Sequence, residues 1–460
     1  RGAVGASMFA TAKHSVQRAL GIKRTIWQKI LPIISVGIAF VPAIVFVGIS
    51  ALNTTEARLD DILPSYAEYY FYITAAIVIF TAFVAPEGPL DQEVRRRGQT
   101  VYCPDTSVPL HPRELSEGAA SLLPDTSRPA YVWDMRLTAQ GVRDSAELYR
   151  AMVRSVRRYT YEEVQQLIDG GDAEETLLLL KDVGEHRIRR ESERGGASLP
   201  MPEQEVHVDD DGTYSLQFRP LLPVEDWNAQ ISLLTGIVAA QIMLDGKVGI
   251  LRTMPPAQQR DVDRFRRQVR ALGVTWPKGM AYGDFLRTLD RQDPKHLAII
   301  HDATALFRGA SYEAFDGSVP EQTEQAAIAA PYTHVTAPLR RLIDRFVLVV
   351  CEALTQGGEI PAWVREALPT LPEIMDESGR LAKAVERACT DATEAAVLAH
   401  RVGEQFDAVV VDDAKKGWQV QLTEPAVNAI AEGEAELGSE VRVELVEADI
   451  ATQTVRFRIV

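Results

Sequence analysis

Cysteine is scarce in this sequence, with three residues among 460. Cys103, Cys351 and Cys389 lie far apart, so they provide neither a disulfide framework nor the close spacing of a zinc site. Histidine is also sparse, and the eight histidines form no cluster with metal-ligand spacing. These absences exclude a disulfide-stapled secreted domain and a zinc module, and they fit a reducing cytosol.

Positive charge is in short supply. There are 49 Lys and Arg against 64 Asp and Glu, a net charge of −15. This background repels polyanions, so nucleic-acid binding would require local clusters of Lys and Arg. The hydrophobic share of 46% and the charged share of 25% are typical of a folded protein, and the length gives room for two or three domains.

Charge is missing from two N-terminal runs, residues 30–52 and 69–86, which comprise 23 and 18 positions. They predict a transmembrane hairpin, since a membrane-spanning helix needs about 20 apolar residues. Basic residues precede the first run and acidic residues fill the connector, which predicts cytoplasmic ends anchored in the cytoplasmic membrane. Two buried helices of a soluble protein are the alternative, and a secretory signal peptide fits less well. The first residue is Arg1 and not Met, so we expect a fragment or an unrecorded start.

The segment from Tyr332 to Arg341, YTHVTAPLRR, is the most informative in the chain. It places an aromatic ring, two hydroxyls and paired guanidiniums beside a proline, and arginine forks match phosphate oxygens bidentately. A helix N-terminus is the alternative, with Thr336 as cap, Pro338 in the first turn and a buried face of Leu339, Leu342, Ile343 and Phe346. Both interpretations are compatible.

This segment resembles the signature of the RNB catalytic domain of ribonuclease II and ribonuclease R, processive 3′→5′ exoribonucleases. The stretch Phe83 to Asp91, continuing through Tyr102 to Glu117, resembles the same family further upstream. The resemblance implies an α+β fold, a mixed sheet with surrounding helices, and then a small OB-like barrel. It also implies hydrolysis of single-stranded RNA to nucleoside 5′-monophosphates.

Residues before Phe83 resemble another family, the first hairpin of ABC-transporter permeases, over about Met8 to Glu87. The two resemblances overlap at Ala82 to Glu87, which leads to the hypothesis of a fused chain joined within this short shared string. The expected domains are a permease-like hairpin at 1–82, an RNB-like ribonuclease domain at 83–400 and an OB-like RNA-binding barrel at 401–460.

An aspartate run is also missing. In the RNB family a run of the form Asp-x5-Asp-x-Asp-Asp holds Mg²⁺, and hard cations need such carboxylate clusters. Here only Glu56, Asp60 and Asp61 fall near the required distance. A solvated connector between two spans explains them better. The metal ligands stay unknown, with Asp60 and Asp61 as candidates, and catalysis is in doubt.

Several site residues follow from the resemblance. Tyr102 matches a tyrosine that stacks on the 3′-terminal base, although a strand aromatic facing the core is the alternative. Arg340 matches a catalytic arginine near the scissile phosphate. Glu386 matches a glutamate near the RNA 3′ end, while a helical ion-pair face is the plainer interpretation. The remaining expected RNA ligands are Tyr332, Thr336, Arg341, Asn228 and Gln230.

The family also has features that this sequence lacks. An acidic pair is absent from the helix around Trp227 to Leu234, where Asn228 and Gln230 can still bond a ribose 2′-OH. A second stacking aromatic would lie near Met201 and is absent. These losses weaken the expected base clamp.

The C-terminal piece alternates apolar and polar residues, as in Val441, Val443 and Leu445 and again in Val455, Phe457 and Ile459. This period-two pattern predicts the half-buried strands of a small barrel. Residues 401–460 hold 12 acidic and 6 basic side chains, so we expect the barrel to cap the RNA site more than to grip RNA.

The sequence thus predicts an RNB-family exoribonuclease whose activity is in doubt, with single-stranded RNA as partner and Mg²⁺ as implied cofactor. A non-catalytic RNA-binding protein and a membrane-anchored fusion product are the alternatives. A transporter component is disfavoured, because no further spans follow Pro86.

Overall fold

The computed structural model describes residues 49–51, 71–78, 84–103, 106–197, 199, 203–208, 214–219, 221–290, 293–414, 416–422 and 424–460. Within these ranges a body of helices around one larger sheet and several short hairpins precedes a closed β-barrel. The fold is therefore α+β followed by a small barrel, as the sequence predicts.

The strands of the body, in chain order, are β1 (Ile49–Ala51), β2 (Phe71–Val78), β3 (Val101–Cys103), β4 (Thr106–Val108), β5 (Ser127–Leu137), β6 (Arg143–Arg154), β7 (Glu203–Val208), β8 (Tyr214–Arg219), β9 (Val248–Thr253), β10 (Ser311–Asp316), β11 (Glu324–Gln325) and β12 (Ala330–Pro331). The helices are α1 (Pro89–Arg97), α2 (Tyr161–Gly170), α3 (Glu175–Glu193), α4 (Pro223–Asp245), α5 (Gln259–Ala271), α6 (Tyr282–Arg287), α7 (Pro294–Ala303), α8 (Leu342–Thr355), α9 (Ala362–Ala367) and α10 (Leu371–Leu398). Single turns of π- and 3₁₀-helix lie at Glu114–Ala119, Thr304–Leu306 and Leu368–Thr370.

The larger sheet has the strand order β1-β2-β5-β6, and its pairs are all antiparallel. The expectation of a mixed sheet was therefore wrong for the strands that the structure describes. A short turn between β5 and β6 explains their pairing, because a tight hairpin can join only antiparallel strands.

The second expected transmembrane span was also wrong. Eight of its residues form β2, which pairs along its whole length with β5, from Phe71 opposite Leu137 to Val78 opposite Ala130. The run is rich in Ile, Val, Tyr and Phe, which favour strands, and β5 supplies the hydrogen-bond partners that a lone span lacks. Of the first expected span, residues 30–48 and 52 lie outside the described residues, and residues 49–51 form β1.

One helix in the described part of the chain, α4, is long and apolar enough to cross a membrane. Half of its most apolar window is buried, and it packs on α3 and α8 as a core helix of the body. The structure therefore gives no support to the expected membrane hairpin.

The main core lies between the larger sheet and helices α3, α4 and α8. Trp133 and Met135 of β5 are fully buried there, together with Leu234 of α4 and Phe346 of α8. At roughly 1.5–3 kcal/mol for each fully buried large apolar side chain, this cluster dominates the stability of the body.

The barrel strands are β13 (Gln405–Ala414), β14 (Gly417–Leu422), β15 (Asn428–Glu432), β16 (Glu440–Asp449) and β17 (Thr454–Ile459), closed in the order β13-β14-β15-β17-β16. Val443, Leu445 and Phe457 are buried inside it, which confirms the alternating pattern. Leu398 of α10 and Leu216 of β8 belong to the same cluster, so the barrel core continues into the body.

Candidate nucleic-acid site

The segment before α8 is a turn and not the start of a helix. The backbone N–H groups of Arg340 and Arg341 both donate to the Ala337 carbonyl at 3.0 Å, and α8 begins only at Leu342. Thr336 is not the helix cap, because its hydroxyl shares a 2.9 Å hydrogen bond with Ser232. The expected buried face is otherwise confirmed, with Leu342, Ile343 and Phe346 in the core.

Asp344 closes this turn from inside the helix. Its fully buried carboxylate accepts hydrogen bonds from Arg341 Nε and Nη2, both at 2.8 Å, and from the Ala337 N–H at 2.6 Å. Burial is the largest influence on the pKa of Asp344 and would raise it, but the Arg341 guanidinium and the Ala337 N–H together hold that pKa below its usual range. The pair stays ionised at neutral pH, so Arg341 shapes the turn and its charge is already balanced.

The turn is joined to the segment that leads into β3. The Thr100 N–H donates to the Arg340 carbonyl at 2.9 Å, and the Leu342 N–H donates to the Gly98 carbonyl at the same distance. Gln99 and Arg341 form an antiparallel bridge between these bonds. Two segments separated by about 240 positions in sequence thus become neighbours.

Gly98 allows helix α10 to approach this junction. Its φ is +69°, and a Cβ at this position would lie 2.5 Å from Ser378 Oγ and 2.6 Å from Ser378 Cβ. Gln99 Nε2 also donates to the Ser378 carbonyl at 3.0 Å. Only glycine combines this backbone conformation with so close a contact.

The turn, β3 and α10 enclose a cavity of about 390 Å³, within the roughly 300–1,000 Å³ range of ligand sites. Its lining comprises Gln99, Thr100, Tyr102, Cys103, Leu216, Arg340, Arg341, Ala382, Glu386, Thr390 and Thr393. Four residues expected at the site from three separate segments, Tyr102, Arg340, Arg341 and Glu386, therefore line one space.

The exposure of these residues separates the alternatives left by the sequence. Val101 of β3 packs against Val385 and Cys389 of α10, whereas the next residue, Tyr102, is 40% exposed at the cavity. The core-facing interpretation thus applies to Val101 and not to Tyr102. Glu386 is exposed and forms no ion pair with any residue that the structure describes, so the helical ion-pair interpretation finds no support.

Arg340 is exposed at the cavity, and no hydrogen bond or ion pair to its guanidinium occurs among the described residues. Its backbone is fixed on both sides, through the Thr100 bond and the turn at Ala337. The side chain is therefore a positioned cation whose charge is available to a ligand.

Four other expected RNA ligands do not line the cavity. Asn228 Nδ2 donates to the Tyr161 hydroxyl at 3.2 Å, and Gln230, 6% exposed, donates to Glu191 at 2.7 Å. Thr336 bonds to Ser232, as described above. Tyr332 is buried against α4, where a Cβ on Gly236 would come within 2.2 Å of its ring. These side chains bind neighbouring elements of the fold.

The sequence interpretation missed other lining residues. Thr390 and Thr393 follow Glu386 by four and seven positions, so helical spacing was the signal that places them on one face. Leu216 gave no such signal, because it reaches the cavity from the β7–β8 hairpin. It is 4% exposed and also packs in the barrel core.

A buried ion pair holds α1 against α8 behind the turn. The Asp91 carboxylate accepts from Arg345 Nη1 at 2.5 Å, from Arg95 Nε at 3.0 Å and from the Glu87 N–H at 3.0 Å. Burial opposes ionisation, but Arg345 and these hydrogen bonds hold the pKa of Asp91 below its usual range. The pair fixes the position of α8, the helix that follows the turn.

Two neutral histidines lie under the turn. His111 Nε2 donates to the Pro338 carbonyl at 3.3 Å, and burial lowers its pKa to about 4. His334 Nδ1 and the Tyr312 hydroxyl share a hydrogen bond of 2.7 Å, and burial lowers the pKa of His334 to about 3. At neutral pH both rings are uncharged, and His111 contacts the turn directly through Pro338.

The described residues do not form a site that suits a divalent cation. In the described part of the chain, no three His, Cys, Asp or Glu side chains come together as metal ligands. Glu56, Asp60 and Asp61 lie outside the described residues.

The cavity brings together an aromatic ring, a fixed guanidinium and a carboxylate, which suits binding of a nucleotide.

Comparison with family models gives two matches. The RNB domain matches residues 47–357, and the RNase II-type exonuclease C-terminal S1 domain matches residues 404–460. The first match begins well upstream of Phe83 and includes residues 47–82, which the sequence resemblance had assigned to a permease-like hairpin outside this family. The match also runs through Ala82 to Glu87, which removes the reason for a fusion junction there.

Curated proteins similar in sequence to this chain include two nucleases. The chain is 26% identical over 334 residues to the exosome complex exonuclease RRP44 homolog A of Arabidopsis thaliana, covering 69% of this chain and 36% of that protein. It is 23% identical over 382 residues to ribonuclease R of Aquifex aeolicus, covering 79% of this chain and 53% of the relative. The chain thus spans about a third to a half of the length of these relatives.

Solved structures share the fold. RNase R of Mycoplasma genitalium, in complex with ribose-methylated single-stranded RNA, superposes with a TM-score of 0.76 at 16% identity, covering 86% of this chain and 67% of that one. Yeast Ssd1, described as a pseudonuclease, gives 0.61 at 15% identity, with 83% and 46% covered. With the RNB model matching more than half of its length, the chain belongs to the RNB family of ribonucleases.

Proposed function

We propose that this chain binds the 3′ end of single-stranded RNA in the cavity between the turn before α8, β3 and α10. The observation that supports this most is the convergence of Tyr102, Arg340 and Glu386 on one cavity of about 390 Å³. These residues come from three segments whose motifs resemble the RNB family, and each offers a group that a nucleotide needs.

Each side chain has a defined part in this proposal. Tyr102 stacks on the terminal base, a contact worth roughly 1–3 kcal/mol and tolerant of base identity. Arg340 binds a backbone phosphate, since its guanidinium fork matches the phosphate oxygens. Arg341 holds the turn through Asp344 and acts on RNA only by fixing Arg340.

Hydrolysis is the second candidate function, and the RNB match over residues 47–357 favours it. RNB-family nucleases depend on a divalent metal, and the described residues do not fit one. We therefore assign no hydrolytic step to them. If the chain does hydrolyse RNA from its 3′ end to nucleoside 5′-monophosphates, Arg340 would stabilise the charge that builds up on the phosphate.

The C-terminal barrel completes the proposal as a cap. Its 12 acidic and 6 basic residues leave little attraction for phosphates, although S1 domains bind RNA in other proteins. Leu216 joins the barrel core to the cavity wall, so we propose that the barrel closes one side of the RNA site. No membrane role is proposed.

One experiment separates binding from hydrolysis. A single-stranded RNA labelled at its 5′ end, and the same RNA labelled at its 3′ end, are incubated with the protein in Mg²⁺ and in EDTA. Binding in EDTA that is lost in Arg340→Ala supports the proposed site. Arg308→Ala, which removes an exposed charge outside the cavity, is the matched control and should bind as the wild type does.

The labels then report on turnover. Stepwise shortening of the 5′-labelled RNA in Mg²⁺ would establish the second function and would require metal ligands beyond the described residues. Binding with no shortening would leave an RNA-binding protein of a nuclease family. Absence of binding in both buffers would overturn the proposed function.

A further inference from the structure

A second cavity lies between the N-terminal half of α5, the start of α6 and the loop that joins these two helices. Its volume is about 490 Å³, and it shares no lining residue with the candidate nucleic-acid site. Four partly buried apolar or aromatic side chains belong to its wall: Val262, Trp276, Met280 and Tyr282. This space is large enough to accept one bulky apolar side chain of a ligand.

The indole ring of Trp276 is held in place and covered on both faces. The Phe285 ring stacks on it with the ring centroids 4.7 Å apart and an interplanar angle of 9°. The Arg266 guanidinium lies 4.2 Å from the indole centroid, too close to share that face, so it covers the other one. The indole Nε1 donates to the Met280 carbonyl at 3.0 Å. A nucleobase therefore finds no free face of Trp276 on which to stack.

Exposed cations lie beside this cavity. Arg267 and Arg270 are exposed on α5, and Lys278 is exposed in the loop between α5 and α6. Arg267 follows the lining residue Asp263 by four positions, and Arg270 follows the lining residue Arg266 by four, so each lies one helical turn further along the same side of α5. None of these cations forms an ion pair with a residue that the structure describes. Their charges are therefore available to an anionic partner.

An acidic peptide fits this surface better than a nucleic acid does. The chain as a whole carries a net charge of −15, so a patch of unpaired cations is a local exception that attracts carboxylates or phosphates. The exposed Asp263 carboxylate at the cavity repels a continuous phosphate chain, whereas a peptide can place its carboxylates beside the cations alone. A peptide can also supply the apolar side chain that the cavity accepts.

We propose that the α5–α6 surface, formed by this cavity together with Arg267, Arg270 and Lys278, binds a short acidic segment of a partner protein. One large apolar side chain of that segment enters the cavity, and its carboxylates contact the three cations. Affinity then comes mainly from the buried side chain, while the charges speed association and select the partner. This interaction goes beyond the proposed RNA function and does not depend on it.

The test measures the fluorescence anisotropy of fluorescein-labelled dodecapeptides added to the full chain. The probes are a glutamate-rich peptide with a central phenylalanine, the same peptide with a central glycine, and a lysine-rich peptide with the phenylalanine. We expect the glycine peptide to bind at least about tenfold more weakly than the first, because it loses the buried ring. The lysine-rich peptide should not bind, and high salt should weaken the binding of both acidic peptides.

Variants assign the two parts of the interaction. Arg267→Gln combined with Arg270→Gln should weaken binding of both acidic peptides by at least about threefold. The matched control, Arg143→Gln combined with Arg189→Gln, removes two exposed charges away from the cavity and should bind as the wild type does. Ala281→Trp fills the cavity from an exposed lining position, so it should remove the preference for the phenylalanine peptide. Thermal melting checks that each variant is folded.

The outcomes separate a peptide surface from a nucleic-acid surface. Equal binding of the phenylalanine and glycine peptides, no binding of either, or unchanged binding in the Arg267 and Arg270 variant would overturn the proposal. So would a single-stranded RNA whose affinity falls in that variant while neither acidic peptide binds the wild type. The expected result is weakened peptide binding in that variant, with its affinity for single-stranded RNA unchanged.

Discussion

Asp344 accepts two hydrogen bonds of 2.8 Å from the Arg341 guanidinium, and the same carboxylate accepts a hydrogen bond of 2.6 Å from the Ala337 N–H. One buried side chain thus fixes both ends of the turn that presents Arg340. We expect Asp344→Asn to destabilise the protein by about 3–5 kcal/mol, because it leaves a buried guanidinium without its counter-charge. Urea unfolding measures this loss.

The control for that change is Asp316→Asn, which breaks an exposed pair with Arg365. Exposed pairs contribute roughly 0–1 kcal/mol, so this variant should unfold close to the wild type. Equal stabilities of the two variants would show that Asp344 has no special part in the turn.

Gly98 permits the contact between the site and α10. We expect Gly98→Ala to destabilise the protein by about 1–3 kcal/mol, since φ is +69° and the new Cβ would meet Ser378. A double-mutant cycle with Ser378→Gly separates the causes. The second change should restore the part due to the clash and leave the part due to backbone strain. No restoration at all would contradict the close approach.

The sequence predicts the place of a site residue where a family motif identifies both that residue and the other residues that lie beside it. Tyr102, Arg340 and Glu386 were expected at one site, and the structure brings them to one cavity. Asn228 and Gln230 do not line that cavity, because their amides bond to Tyr161 and Glu191, which come from helices far away in sequence. No local sequence pattern identifies such hydrogen-bond partners.

The fold shows the same limit. The apolar run at 69–86 has the composition of a short membrane span and of a buried strand, and only its pairing with β5 decides between them. That partner lies some 60 positions further along the chain. The barrel was easier, because alternation in β16 and β17 is a local signal that reports burial directly.

Stability should fall as the pH is lowered from about 6.5 to 4.5. The folded-state pKa values of His111 and His334, about 4 and about 3, lie below the ordinary value of 6.5, so the unfolded chain binds more protons in this window. Each ring then contributes a loss of about 1.4 kcal/mol per pH unit. Burial also lowers the pKa of His301, which adds in the same direction.

Asp302 opposes this trend. Burial raises the pKa of Asp302 to about 6, so the folded protein binds this proton more tightly than the unfolded chain does. The resulting stabilisation is complete below the ordinary pKa of 3.8 and is lost as the pH rises through 6. Urea unfolding at several pH values should therefore show a shallower slope for His334→Gln and a steeper one for Asp302→Asn. Identical slopes in all three proteins would contradict the assigned protonation states.

Leu216 should link barrel stability to RNA affinity. We expect Leu216→Ala to cost about 2–5 kcal/mol of stability, as for other buried leucines, and also to weaken RNA binding because the cavity loses part of its wall. Val420→Ala, in the same barrel core but away from the cavity, should lower stability alone. Equal RNA affinities for the two folded variants would separate the barrel from the site.

The most direct test of the central claim is photo-crosslinking of a single-stranded RNA that carries 4-thiouridine at its 3′-terminal or at its 5′-terminal position, followed by mass spectrometry of the attached peptides. We expect the 3′-terminal probe to attach to peptides containing Tyr102 or Glu386 and the 5′-terminal probe to attach elsewhere. Attachment of the 3′-terminal probe to the barrel alone, or equal attachment of both probes at the cavity, would contradict it.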